Sequence, residues 1–186
     1  MKNKRILLLS LSAVLLMLLV GCTKPYVITR DLEEPVYPRT TCSIGLIDDE
    51  LPLDMDEDQK PSMENIYEFK EALREELLKT EVFDYVEIGT DKADYEVNGA
   101  LMDYKKGSWA GRFFIGFGVG NAKFSTNLKL IDKATGNPLF AGNFTRTISG
   151  WGESGSDSYK KIAKDFAKAF KKQLKKLQED NAELFE

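Results

Sequence analysis

The chain predicts an α/β (α+β) domain built on a single mixed, mostly antiparallel sheet of about five strands, with two helices packed on one face. Three patterns point there. From Lys123 to Asp132, Phe124, Thr126, Leu128 and Leu130 alternate with Lys123, Ser125, Asn127 and Lys129, the period of a half-buried strand. Ile66, Phe69, Leu73 and Leu77 recur at spacings of three or four, which is one stripe of a helix. Ile162, Phe166, Phe170, Leu174 and Leu177 do the same near the end of the chain. Strand-like runs at 42–47, 82–88, 93–104 and 139–148 complete the count. Helices that bury a stripe against one sheet give a two-layer domain.

The first residues are not part of that domain. Lys2, Lys4 and Arg5 precede an apolar run, Ile6 to Val20, broken only by Ser10 and Ser12. A basic start, an apolar run and a small residue before a cut make an export signal. The run is short for a membrane span, which needs about 20 apolar residues. It ends in Leu19-Val20-Gly21-Cys22, which resembles the bacterial lipobox. The resemblance implies a diacylglycerol thioether on Cys22, cleavage before it, and acylation of the freed amino group by a palmitate-type chain. Two or three acyl chains anchor a protein stably, where one holds it marginally at about 0.8 kcal/mol per buried CH₂. Thr23, in place of the Asp that favours inner-membrane retention, points to the outer membrane and a domain facing the periplasm. A Gram-positive host would display it on the plasma membrane instead. The chain divides into a signal peptide (1–21), the lipidated cysteine and a tether (22–41), and a single domain (42–186).

Composition narrows the function. Loss of residues 1–21 removes three positive charges and takes the net charge from -4 to -7. An acidic chain is a poor partner for nucleic acid, whose phosphates need clustered Lys and Arg. Of two cysteines, a lipidated Cys22 leaves Cys42 alone, expected to be a buried small hydrophobe. Histidine is absent, which excludes any Ser-His-Asp or Cys-His site. No cofactor and no metal are expected.

Taken in order, Thr23 to Thr41 reads as a wet tether broken by Pro25, Pro35 and Pro38, with a reach of at most roughly 60 Å. The first strand, Cys42 to Ile47, is expected to be central. Asp48 to Asp58 holds seven acids. Asp54, Asp56 and Asp58 have the spacing that opens a calcium loop, but Gln59 and Asn65 stand where that loop needs Gly and Glu, so a solvated loop is expected. Ser62 is the expected N-cap of the first helix. Lys133 to Pro138 is a turn, with Gly136 and Asn137 supplying the unusual φ angles, so 123–148 is expected to be a hairpin. Ser156, Asp157 or Ser158 is expected to cap a last helix from about Tyr159 to Gln178. Eight lysines, from Lys160 to Lys176, lie opposite its apolar arc. That arc is expected to pack on the sheet, leaving the lysines free for electrostatic attraction.

Between the third and fourth strands lies a stretch, 108–122, that suits neither helix nor strand. Gly111, Gly116, Gly118 and Gly120 sit among Trp109, Phe113, Phe114 and Phe117, with Arg112. Glycine serves where backbone bends or comes close to something. GxGxG alone suggests nucleotide, but a strand follows where the dinucleotide fold requires a helix. The segment is read as an apolar connector that contacts an envelope protein partner or another copy of the chain. The alternatives are a lid over an apolar ligand or lipid, and aromatics that finish the core. Catalysis is the remote reading; Glu96 and Asp103 are its best buried-acid candidates, and no catalytic residue is assigned.

Ala93-Asp94-Tyr95-x-x-x-Gly99, Gly107, Arg112, Gly116-Phe117-Gly118-x-Gly120 and Asp132-x-x-Thr135-Gly136 resemble a domain-of-unknown-function family of small bacterial lipoproteins. The core pattern is also similar to the N-terminal domain of TolB-like proteins. The resemblance implies helices on one side of a sheet and a role in envelope assembly. It carries over no catalytic residues.

Overall fold

The computed structural model describes residues 25–34, 36, 40–56, 60–105, 121–148 and 155–180. Among them are six strands and two helices. In chain order these are β1 (Tyr26–Arg30), β2 (Thr40–Asp49), α1 (Met63–Leu78), β3 (Phe83–Ile88), β4 (Tyr95–Lys105), β5 (Ala122–Asp132), β6 (Pro138–Ile148) and α2 (Gly155–Asp180). The sheet order is β1-β6-β5-β4-β2-β3. β1, β6, β5 and β4 pair antiparallel in succession, whereas β2 runs parallel to both β4 and β3.

The sixth strand comes from the expected tether. Tyr26-Val-Ile-Thr is a β-favouring run that pairs with β6 from Tyr26↔Phe144 onward. Pro25 sits just ahead of this edge strand, a position proline tolerates. The chain beyond β1 stays on the domain too: Leu32 and Val36 are buried, and Gln173 Nε2 of α2 donates to Asp31 Oδ1 at 2.6 Å.

Alternation sorts the sheet into two faces. On one, Val97 and Leu101 of β4, Phe124, Leu128 and Leu130 of β5, and Phe140 and Phe144 of β6 are buried. The α2 stripe Ile162, Phe166 and Phe170 is fully buried against them. Phe166 meets Phe140 and Phe144 at ring distances of 5.6 and 5.5 Å. α1 covers β2 and β3 with Phe69, Leu73 and Leu77. Each such side chain contributes about 1.5–3 kcal/mol by leaving water. α1 starts as its sequence predicts. Ser62 Oγ accepts from Asn65 N, and Asn65 Oδ1 accepts from Ser62 N, both at 3.2 Å, a reciprocal cap. α2 starts earlier than expected, at Gly155, so the candidate caps Ser156, Asp157 and Ser158 lie inside its first turn.

The other face is polar and bare of helices, as antiparallel sheets permit. Ser125 and Thr145 share a hydrogen bond of 2.8 Å. Asn127 Nδ2 donates to Asn143 Oδ1 at 2.7 Å. Residues 89–94, between β3 and β4, cross β2 on this face. Thr90 N donates to Ser43 Oγ there at 3.2 Å, which explains how Ser43 is buried away from the helices. A register shift between Leu101 and Asp103 brings Tyr104 opposite Phe124. Tyr104 thus packs on the helix side, edge-on to Phe124 at 6.2 Å, not with Ala100 and Met102 as alternation alone predicts.

The residues that carry the family resemblance have local backbone duties. The Asp94 carboxylate accepts from Thr41 N at 2.8 Å and Thr41 Oγ1 at 2.9 Å, tying the start of β4 to the start of β2. Those bonds hold its carboxyl below the usual range. Gly99 lets β4 approach β5: a Cβ there would lie 2.3 Å from the carbonyl oxygen of Asn127. Asp132 Oδ1 accepts from Ala134 N and Thr135 N at 2.7 and 3.1 Å, and Gly136 takes φ +72° in the hairpin turn.

These duties differ in cost. Gly136→Ala meets only the left-handed backbone penalty, about 1 kcal/mol, because nothing lies within 4 Å of its Cβ. Gly99→Ala must force two strands apart and costs about 3 kcal/mol. Urea midpoints check this; equal midpoints for the two variants overturn the close approach. Asp94 has a lowered carboxyl, so its stabilisation is present above the usual carboxylate pKa and is lost as pH falls through its folded value. The midpoint deficit of Asp94→Asn at pH 7 is therefore expected to shrink below about pH 4. A deficit that stays constant with pH contradicts the clamp.

Candidate functional site

The expected contact residues Trp109, Arg112, Phe113, Phe114 and Phe117, the bend glycines Gly111, Gly116, Gly118 and Gly120, and Cys22 lie outside the described residues. The residues that flank them are well defined. β4 ends at Lys105 opposite Lys123, and Ala122 lies opposite Ile148. The segment 106–120 therefore leaves and re-enters at one end of the sheet. α2 begins at that end as well, since Tyr159 packs on Phe124 at 4.8 Å. β1 starts further in, opposite the middle of β6, where Tyr26 pairs with Phe144 and Thr145 N donates to Pro25 O at 2.9 Å.

An aromatic cluster roots this end. Phe69 of α1, Phe124 of β5 and Tyr159 of α2 meet in tilted and edge-on pairs, and Tyr104 closes the group. Such rings add about 0.5–1.5 kcal/mol per pair beyond their area. Burial pushes the Tyr159 phenol up, and the neighbouring Tyr104 hydroxyl adds to the shift. Tyr159 is a buried side chain packed between rings. Above it a cleft of about 320 Å³ runs between the helices, lined by Glu68, Glu71 and Glu75 of α1 and Lys160 of α2.

The acid candidates are apart from this end's apolar root. The Asp103 carboxylate receives Lys123 Nζ at 2.6 Å, with both side chains about two-fifths exposed at 43% and 41%. Glu96 Oε2 accepts from Asn98 Nδ2 at 2.9 Å. Both acids are strand residues of the polar face. Nearby, Gly45 keeps β2 low, for a Cβ there would lie 2.1 Å from Asn98 Oδ1 and 2.4 Å from Glu96 Oε1. Cys42 is buried, and burial pushes its thiol up to about 12, so it is inert at neutral pH. Asp54 and Asp56 lie in the loop after β2, and Asp58 lies outside the described residues. Among the described residues no three His, Cys, Asp or Glu side chains converge, and no helix is long and apolar enough to cross a membrane.

Sequence reading missed two features of this end: the fixation of Pro25 to β6 and the ion pair of Arg146 Nη2 with Asp165 Oδ2 at 2.6 Å. The β-favouring run Tyr26-Val27-Ile28 was the available signal for the first. The second joins residues 19 positions apart and has no local pattern.

Solved structures share this architecture. A variant PelC dodecamer from Paraburkholderia phytofirmans aligns with TM-score 0.58 at 15% identity, covering 78% of this chain and 95% of that one. The PelC dodecamer in another crystal form gives 0.56 at 15%, covering 77% and 96%. The protein XCC0632 from Xanthomonas campestris, assigned to DUF330, gives 0.50 at 10%, covering 84% and 95%. At these identities the likeness is one of fold, and it does not bear on the expected similarity to TolB-like domains. No curated protein matches the chain significantly. Residues 36–150, well over half of the 186-residue chain, match a family described as Domain of unknown function (DUF4410), and the chain belongs to that family.

Proposed function

We propose that the chain is a non-catalytic lipoprotein of the bacterial envelope, anchored through Cys22 at the outer membrane and facing the periplasm. Its domain works as an interaction or assembly module. Residues 108–122 form the contact, with Trp109, Phe113, Phe114 and Phe117 as apolar anchors and Arg112 as the polar one. Large aromatics and Arg are the residue types that dominate contact energies. One observation carries the reading. The segment's flanking pair, Lys105 and Lys123, lies at the end of the sheet where β4 stops and β5 starts, and Pro25, three positions after Cys22, is held by Thr145 in the half of β6 nearer that end. A contact there meets partners at the membrane surface. The partner is an envelope protein or a second copy of the chain; the PelC neighbours, similar in fold, are dodecamers.

Two measurements test the reading. Intact mass of the chain from native membranes is expected to show added acyl groups that Cys22→Ser lacks; equal masses, after allowing for the substitution, remove the anchor. A photo-crosslinker in place of Phe114 is expected to give one dominant protein adduct in native envelopes. Adducts only to phospholipid favour the apolar-ligand reading instead, and no specific adduct rejects the docking role.

A further inference from the structure

The two helices carry stripes of opposite charge. On α1, Glu64, Glu68, Glu71 and Glu75 follow one another at spacings of 4, 3 and 4, which puts them on one side of a helix. On α2, Lys164, Lys168, Lys171 and Lys175 repeat the same spacings. Each stripe spans 11 positions, about 16 Å of helix. The spacing reads the same in both directions. The stripes therefore match charge for charge whether the helices that bear them run parallel or antiparallel.

These side chains are turned away from the sheet. Phe69, Leu73 and Leu77 take the buried side of α1, and Ile162, Phe166 and Phe170 that of α2. Of the eight stripe residues seven are exposed, and the Glu71 side chain retains 31% of its exposure. The stripes do not satisfy each other within one chain. Lys160 lines the cleft beside Glu68, Glu71 and Glu75, but the lysines of the stripe do not. Among the described residues, Glu64, Glu68, Glu75, Lys164, Lys168 and Lys171 have no ion-pair partner. Charges of the wrong sign are held aside. Arg74 is bound to Glu71 at 2.8 Å, and Lys70 lies about 100° round the helix from Glu71. Asp165, the one acid within the span of the lysine stripe, is bound to Arg146 of β6 at 2.6 Å.

A uniform polyanion or an anionic surface suits this layer poorly. It would meet the glutamates of α1 about 10 Å from the lysines of α2, within a Debye length. A surface that carries both signs, in stripes of the same period, suits it well, and the chain itself has one. Exposed ion pairs alone are weak, but apolar area lies beside them. Met63 and Tyr67, each one position before a stripe glutamate, are 85% and 57% exposed. The methylene stems of lysines can cover such side chains.

We infer that a second copy of the chain is the partner of this surface, with the acidic α1 stripe of one copy seated on the lysine stripe of α2 of another. The contact uses neither residues 108–122 nor Cys22, so it stands or falls apart from the proposed function.

Charge reversal in two variants tests it. Glu64→Lys with Glu68→Lys and Glu75→Lys makes both stripes basic; Lys164→Glu with Lys168→Glu and Lys171→Glu makes both acidic. Full chain purified in detergent is prepared with natural and with heavy nitrogen, mixed, and treated with a carbodiimide, which joins a lysine to a carboxylate in contact. Mass spectrometry then counts the links between a light and a heavy copy. The wild-type mixture is expected to give such links between the two stripes, and fewer as salt rises from about 0.1 M to about 1 M. Each reversed variant alone is expected to give about tenfold fewer. An equimolar mixture of the two reversed variants restores them, since each then supplies the stripe that the other lost. The neutral set Lys164→Gln, Lys168→Gln and Lys171→Gln gives a smaller loss and serves where reversal lowers the thermal midpoint. Absence of light–heavy links in the wild type overturns the inference, and so does a mixture of reversed variants that stays unlinked. Binding of phosphatidylglycerol vesicles that only the lysine variant loses, with light–heavy links unchanged in both variants, assigns the lysines to a membrane and also overturns it.

Discussion

The contact between the α2 stripe and the aromatic face of β5 and β6 is what the rest of the structure depends on. Ile162, Phe166 and Phe170 press on Phe124, Phe140 and Phe144, all fully buried. No disulfide joins the described residues, whose cysteine is free, so packing holds the described fold. Removing one such ring costs about 3–5 kcal/mol, a large share of the 5–15 kcal/mol that holds a typical domain. The one-sided core also explains the polar face. With both helices spent on one side, the other must be compatible with water, and its Ser, Thr and Asn ladders satisfy one another across strands.

Much of this was legible in the sequence because it is periodic. The hairpin of β5 and β6, the cap at Ser62 and both helical stripes follow from spacings within a few residues. What escaped reading depends on distant partners. β1 is five residues long and lies among prolines; it is a strand because it pairs with the edge of β6 that β5 leaves open. The place of Tyr104 depends on a register shift that has no local marker. The early start of α2 at Gly155 likewise has no propensity signal, since glycine is a weak helix former. The glycine-aromatic segment was visible as an anomaly of composition. The structure defines that segment's two ends.

Motif residues are often read as chemistry, and here several are architecture. Asp94 clamps Thr41, Gly99 admits the Asn127 carbonyl, and Asp132 with Gly136 shapes a turn. None of them supplies a reactive group. A family pattern built on such positions reports how the sheet closes, which is consistent with a scaffold whose variable work is done elsewhere.

The short first strand has a practical consequence for anyone who trims this protein. A soluble fragment begun near residue 41, where the prolines end, would strip β1 away and leave β6 as a free margin of unpaired amides and carbonyls. Bare β edges of that kind recruit strands from other molecules. Such a fragment is apt to precipitate or to pair artificially with itself, whereas a fragment begun before Pro25 keeps its own selvedge.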